Sequence, residues 1–445
     1  MNTGKTLAIT GIALAGLVSP VTATPVQEQG QACQPAPFDS TTTTALVGVT
    51  LIDGTGALPR PGTTVLVKGQ RVVDIFPTDS RVLDADTRTL DLAGRYLIPG
   101  LIDTHAHVAT DPAGEDTRER TERRLCNALL GGVTTIRDMA GDVRVLGSLA
   151  RDALVGTIVS PDIQYVALFA SPQFFADPRA GAASAGEVAG TLPWMRGISD
   201  TTDLHQAVAE ARGTGATAIK VYAGLEAGLV REIVAEAHRQ DLPVWSHLYV
   251  GPAGPLDVVE AGTDVVSHAT HLAFALGRER GRALLTAEVD SALDLSDPAI
   301  DSVLAAMVDN GTVYEPTLFI YQDRPASLRL AGALVRMAHA AGVRISAGTD
   351  SVAGADGDTV TLPNIHREMQ LLVEIGGLTP AEALDAATRT AAVAANVLDS
   401  RGTVEVGKLA DLVVLAGDPT ADIRNSERVE GIIKRGRIYS RSSTR

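Results

Sequence analysis

The sequence predicts an α/β protein: a (β/α)8 TIM barrel, with a small β-sandwich domain formed from both chain ends. Three observations point there. Short β-rich runs stand at both termini, a long middle alternates strand-like with helix-like segments, and polar residues close several of the middle strands. The expected boundaries are 42–97 plus 402–445 for the β-sandwich domain and 98–401 for the barrel. At 445 residues the chain is long for one domain, but a barrel with a small accessory unit accommodates it. Hydrophobic residues make up 45% and charged residues 20%, a balance that belongs to a buried globular enzyme rather than a disordered chain. A net charge of −15 argues against nucleic acid and anionic membrane surfaces as partners, since both would repel it. The partner expected is a small-molecule substrate; a homo-oligomer is left open.

The first segment stands apart. Lys5 supplies a positive start, Leu7 to Val18 is apolar but too short for a mature anchor, and Val21-Thr22-Ala23 offers a cleavage point. The reading is a signal peptide over 1–23 and an exported enzyme, periplasmic or secreted, with no stable membrane span after cleavage. An exported protein can carry disulfides. The only cysteines are Cys33 and Cys126, and the sequence leaves their pairing open.

After a polar stretch, the runs 45–52, 64–68 and 71–76 read as strands separated by Gly and Pro turns. A matching set follows at 412–415, 429–434 and 437–439. Neither set alone has enough strands to bury a face, so one small domain assembled from both ends is expected.

The middle begins with Leu101-Ile102-Asp103-Thr104-His105-Ala106-His107, an apolar run after Pro99-Gly100 that reads as a buried strand. Residues two apart on a strand face the same way, so His105 and His107 aim two imidazoles at one spot. A divalent metal is the usual partner for such a pair. Two core histidines bonded to backbone carbonyls would be the competing reading. Further strands carry Arg137, Lys220, His247, His268 and, in the eighth unit, Asp350. Parallel strands closing into a barrel would bring their C-terminal ends to one mouth, where active sites of this fold lie. Singly, Asp350 could cap a helix and His268 could be a core histidine. Five ligand-type groups and a lysine at one mouth favour the metal.

Pro99-Gly100-Leu101-Ile102-Asp103-Thr104-His105-Ala106-His107 resembles the opening signature of the metal-dependent amidohydrolase superfamily. The stretch from Gly402 to Leu415 resembles the return strand of that superfamily's β-sandwich domain, and Gly377 to Thr388 the helix before it. Within the superfamily the chain resembles the imidazolonepropionase-like and Xaa-Pro dipeptidase-like branch. The resemblance implies two divalent metal ions, by default Zn2+. His105, His107 and Asp350 would hold the more buried one and His247 and His268 the other. Lys220 would bridge them as a carbamate, N6-carboxylysine. An ammonium has no lone pair to give a cation, so a lysine there needs a countercharge or a chemical change. A salt bridge from Lys220 to Asp138 or Asp350 is the alternative. The metals would lower the pKa of a bridging water, and Asp350 would act as catalytic acid and base.

Substrate contacts are less legible. Dipeptidases of the branch carry a Gly-Gly-His stretch after strand three; this chain has Leu168 to Arg179 instead. Arg179 is either a carboxylate clamp or a solvated loop arginine. Trp194, Tyr222 and Tyr321 are candidate cavity walls. His271 reads as a supporting residue or a substrate contact, and His366, with Glu368 nearby, as one lining the site. Arg137 is expected to neutralise a carboxylate, while His205, His238 and His339 look like surface residues. The expected function is exported binuclear hydrolysis of an amide or peptide bond in a dipeptide or N-acyl amino acid. A cyclic amide, lactone or carbamate ester is the competing substrate. A non-catalytic binding scaffold would lack ligands, yet every ligand position is filled.

Overall fold

The structure, a computed structural model, describes residues 33–109, 117–184, 186–287, 292–351 and 362–440; the segment read as a signal peptide lies outside them. Five strands come from the front of the chain: β1 (Thr43–Leu51), β2 (Arg60–Lys68), β3 (Arg71–Pro77), β4 (Arg88–Asp91) and β5 (Tyr96–Pro99). The barrel region contributes β6 (Leu101–Ala106), β7 (Val133–Asp138), β8 (Asp162–Ala170), β9 (Thr191–Leu192), β10 (Met195–Gly197), β11 (Ala218–Val221), β12 (Val244–His247), β13 (Val265–Ser267) and β14 (Val313–Glu315). The chain returns through β15 (Leu412–Leu415), β16 (Val429–Lys434) and β17 (Arg437–Ser440).

The end strands form one mixed sheet in the order β17-β16-β15-β5-β1-β2-β3, with β4 beside β1. The joint between the two halves is β5–β15, antiparallel from Tyr96↔Leu415 to Pro99↔Leu412. Leu46, Leu51, Val65 and Leu97 from the front pack with Leu412, Val414 and Ile433 from the back in one core. Neither half closes that core alone.

Strands β6, β7, β8, β11, β12, β13 and β14 are successive parallel neighbours. The eighth segment is too irregular for a strand, but it closes the ring. Ile345 bridges Tyr314 and Ser351 bridges Ala106, and the Asp350 amide donates to His105 O at 2.7 Å. The short pair β9–β10 lies in the section without a clear sequence pattern, and β10 extends β8 in parallel. Trp245, Val166, Ala218, Val265 and Val313 pack as an apolar layer. Side chains two positions further along several of these strands share their face, so Lys220 follows Ala218, His247 follows Trp245 and Glu315 follows Val313. The apolar floor thus sets the height of the polar mouth.

Outer helices begin on their own caps: Asp142, Asp203 and Asp297 accept amides from the first turns of 143–155, 204–213 and 298–310. The sheet and barrel are joined at the start of β8. The Asp162 carboxylate receives Arg401 and Arg435 at 2.7 Å and Lys434 at 2.9 Å. Cys33 and Cys126 form a disulfide, tying the start of the described chain to helix Arg118–Leu130. Among the described residues no helix is long and apolar enough to cross a membrane.

Candidate metal centre and active site

Asp350 is the hub of the mouth. One carboxylate oxygen lies 2.8 Å from His107 Nε2 and 3.2 Å from His105 Nε2, and the other lies 3.7 Å from His268 Nδ1. The ligand atoms of His105, His107 and Asp350 all fall within 4.8 Å of one another, close enough to share one ion. His247 and His268 stand beside this trio with ring centroids 4.6 Å apart, and His268 is 5.3 Å from His105. The six side chains anticipated from sequence therefore meet in space.

Lys220 completes the group in an unusual state. It is 1% exposed, and among the described residues its Nζ has no hydrogen-bond partner. Neither Asp138 nor Asp350 pairs with it. Asp138 is taken by the Val108, Ala109 and Gly141 amides, at 2.7, 3.2 and 2.7 Å. Burial, only partly offset by Glu315 and Asp350, pushes the amine down to about 8. A buried, partnerless amine with reduced affinity for its proton is suited to forming a carbamate.

The charge balance suits cation binding. Burial, reinforced by the neighbouring imidazole and Lys220, holds His247 well below the usual histidine range; His268 is lowered too, again chiefly by burial. Both rings are neutral at physiological pH and have a lone pair to give. Burial opposes charge on Asp350, but His105 and His107 outweigh it and keep the carboxyl ionised. Four non-glycine residues at the mouth, Ala140, His268, Thr317 and Asp350, have φ of 89°, 78°, 50° and 47°. Such backbone is costly and concentrates at functional sites.

These groups open into a cavity of about 300 Å3. His105, His107, Lys220, His247, His268 and Asp350 form its polar end; Met139, Leu168, Phe174, Ala180, Ala183 and Met195 form an apolar side. Tyr222 is part of the wall, its ring 4.0 Å from His247 and 4.7 Å from Phe174. Arg179 stands at the rim and is held by Asp177 at 2.8 Å, with its side chain 60% exposed.

Other expectations need correction. Trp194 packs under the Arg144 guanidinium, 5.3 Å from its ring centroid, and it is the neighbouring Met195 that reaches the cavity. Tyr321 is buried outside the wall, its hydroxyl 3.1 Å from Thr270 Oγ1. His366 is not at the site: its ring bonds Gly131 O at 2.9 Å and Ser426 Oγ at 3.0 Å, joining barrel to end sheet. Arg137 lies over the Trp245 ring at 4.1 Å and donates to Gln164 Oε1 and Ala395 O. No carboxylate among the described residues bonds it directly, although the charges of Glu315 and Asp264 partly offset its burial. His271 packs 5.2 Å from His247 and 5.1 Å from His268 without joining the wall, as a supporting residue would. His205, His238 and His339 lie at the surface beside Glu236, Asp264 and Glu382, as expected.

Three participants escaped the sequence reading. Glu315 contacts His105, Thr317 Oγ1 lies 3.0 Å from His268 Nδ1, and Asp103 accepts from the Thr349 hydroxyl at 2.8 Å beside Asp350. Glu315 obeys the same rule as the ligands, a polar residue ending an apolar strand, and that signal could have found it.

A ring of parallel strands with histidines, a lysine and an aspartate at its C-terminal mouth is the arrangement of a metal-dependent hydrolase. The chain belongs to the amidohydrolase family, whose model matches residues 96–439, and is a hydrolase of carbon–nitrogen bonds. Among characterised proteins it is similar to ochratoxinase from Aspergillus niger, at 26% identity over 91% of this chain and 88% of the relative. It is also similar to imidazolonepropionase from Symbiobacterium thermophilum, at 28% identity over 85% of this chain and 90% of that one. The fold matches a Xaa-Pro dipeptidase crystallised with methionine in its active site, with a TM-score of 0.71, 23% identity, and coverage of 90% and 100%.

Proposed function

We propose that this chain is an exported, binuclear amidohydrolase that cleaves the amide bond of a dipeptide or N-acyl amino acid. The observation that carries the reading is the buried Lys220 amine, which has no hydrogen-bond partner and stands among four histidines and Asp350. His105, His107 and Asp350 would hold one divalent cation and His247 and His268 a second, with carboxylated Lys220 shared between them. Bound there, Zn2+ or a similar ion would polarise the scissile carbonyl and acidify water. Asp350 would take a proton from the attacking water and pass it to the leaving nitrogen as the C–N bond breaks and the acyl carbon gains oxygen. Tyr222 and the apolar side would receive the acyl or side-chain portion, and Arg179 at the rim would meet a free carboxylate once released from Asp177. Export is supported by the Cys33–Cys126 disulfide, which suits an oxidising compartment.

The test is to assay purified protein against dipeptides, N-acyl amino acids and lactones before and after exhaustive chelation, with metal content measured throughout. Chelation-sensitive amide hydrolysis with two metals per chain is expected. Turnover that survives metal removal, or turnover of lactones alone, would overturn the reading.

A further inference from the structure

Glu315 ends β14 and is fully buried. Its Oε2 accepts from His105 Nδ1 at 2.6 Å and from the Ser267 hydroxyl at 2.8 Å, while Oε1 accepts from the Thr104 hydroxyl. Thr104 and Ser267 each precede a histidine expected to bind metal, His105 and His268. One carboxylate therefore touches the strand ends that carry ligands of both cations. The space around it is reserved: a Cβ at Gly348 would sit 2.5 Å from Glu315 Oε1 and 2.8 Å from His105 Cβ.

A carboxylate facing Nδ1 keeps the proton on that nitrogen, so that Nε2 would give its lone pair to a cation bound beside Asp350. Two divalent cations would bring four positive charges into a buried site. Asp350 and carboxylated Lys220 would answer two of them, and buried charge without compensation is expensive. Glu315 is the carboxylate that contacts a ligand ring from the side away from Asp350.

We propose that Glu315 is a positioning residue of the metal centre: it locks His105 with Nδ1 protonated and Nε2 free to coordinate, and it supplies buried negative charge that retains two cations. This inference rests on the binuclear reading above. Carboxylates placed behind a ligating histidine typically change metal affinity or activity 10–100-fold when removed.

The test compares native protein with Glu315→Gln and Glu315→Asp, loaded with Zn2+, by competition against a chelator and by metal content. Glu315→Gln keeps the shape but not the charge and is expected to bind the metals about 10–100-fold more weakly, with thermal unfolding of the apo-protein close to native. Glu315→Asp keeps the charge, loses reach to His105 and should recover part of the affinity. Native-like affinity in Glu315→Gln would overturn the proposal. Fewer than two metals in the native protein would instead defeat the binuclear reading itself. A measurement on unmutated protein removes dependence on variant folding: long-range 1H–15N correlation of 15N-histidine, Zn2+-loaded protein should show His105 protonated at Nδ1. Protonation at Nε2 would overturn the role of Glu315 whatever the variants do.

Discussion

Asp350 lies within ion-pair distance of three imidazoles, so its charge and its proton traffic can be separated by experiment. Asp350→Asn leaves four histidines in place, so with metal supplied in excess to offset the lost ligand charge, turnover should fall about 10^2–10^4-fold, the usual contribution of a positioned acid–base group. Native turnover in a metal-loaded Asp350→Asn enzyme would remove Asp350 from the proton path. Gly348→Ala tests the crowding beside it. The added methyl has no room against Glu315 and His105, so about 1–3 kcal/mol of stability should be lost, measured by chemical denaturation. The six proposed ligands were legible because each follows a strand-like run; strand periodicity sets the direction of Lys220 and His247, while His268 and Asp350 are turned by backbone of positive φ. Trp194 and His366 were not legible for the converse reason. Trp194 sits in the turn between β9 and β10 and His366 at the start of helix Ile365–Glu374, where proximity in sequence to the mouth does not set side-chain direction.

Helix Ile365–Glu374 supports the mouth indirectly. Glu368 is fully buried and accepts the Leu318 and Phe319 amides at 2.9 and 2.7 Å, pinning the turn that presents Thr317 to His268. Burial, offset in part by those two amides, pushes its carboxyl up to about 8. Because the folded state holds this proton more tightly than the unfolded chain, the group's stabilisation is complete below the ordinary carboxylate range near 4.5. It is lost as pH rises through about 8. Glu368→Gln, neutral throughout, should therefore show a flatter stability profile across that window in denaturant titrations; parallel profiles would mean that Glu368 does not carry the proton. The same region shows where sequence patterns run out. The eight βα units were countable, yet the eighth segment pairs through isolated bridges rather than a ladder, because Gly348 and the turned backbone at Asp350 interrupt it. Strands β4 and β5 were also missed: Arg88–Asp91 is mostly exposed and polar, and Tyr96–Pro99 runs straight into the barrel motif.

At the scale of the molecule, a charge cluster and a disulfide add to the apolar contacts and the His366 bridge that join barrel and end sheet. Burial disfavours charge on Asp162, but Lys434, Arg401 and Arg435 outweigh it and hold the carboxyl well below its usual range. That stabilisation is present above the unfolded carboxylate value near 3.8 and is lost as pH falls through the lower folded value. Asp162→Asn leaves Asp411 as the one carboxylate beside Lys434 and Arg401 and should cost about 3–5 kcal/mol at neutral pH, with the gap from native narrowing under acid. Equal melting of the two proteins at neutral pH would show that the cluster does not hold the halves together. Reduction of Cys33–Cys126, which are 93 residues apart, should lower stability by about 2–5 kcal/mol, read as a drop in melting temperature with dithiothreitol. The end sheet carries a consequence for biosynthesis. Its inner strand β15 follows the whole catalytic region in the chain, so the edge of β5 stays bare until that region has been translated. An unpaired edge invites pairing with another chain. A truncation before Leu412 would therefore expose the edge of β5 in every copy, and such a protein should self-associate where the intact chain does not.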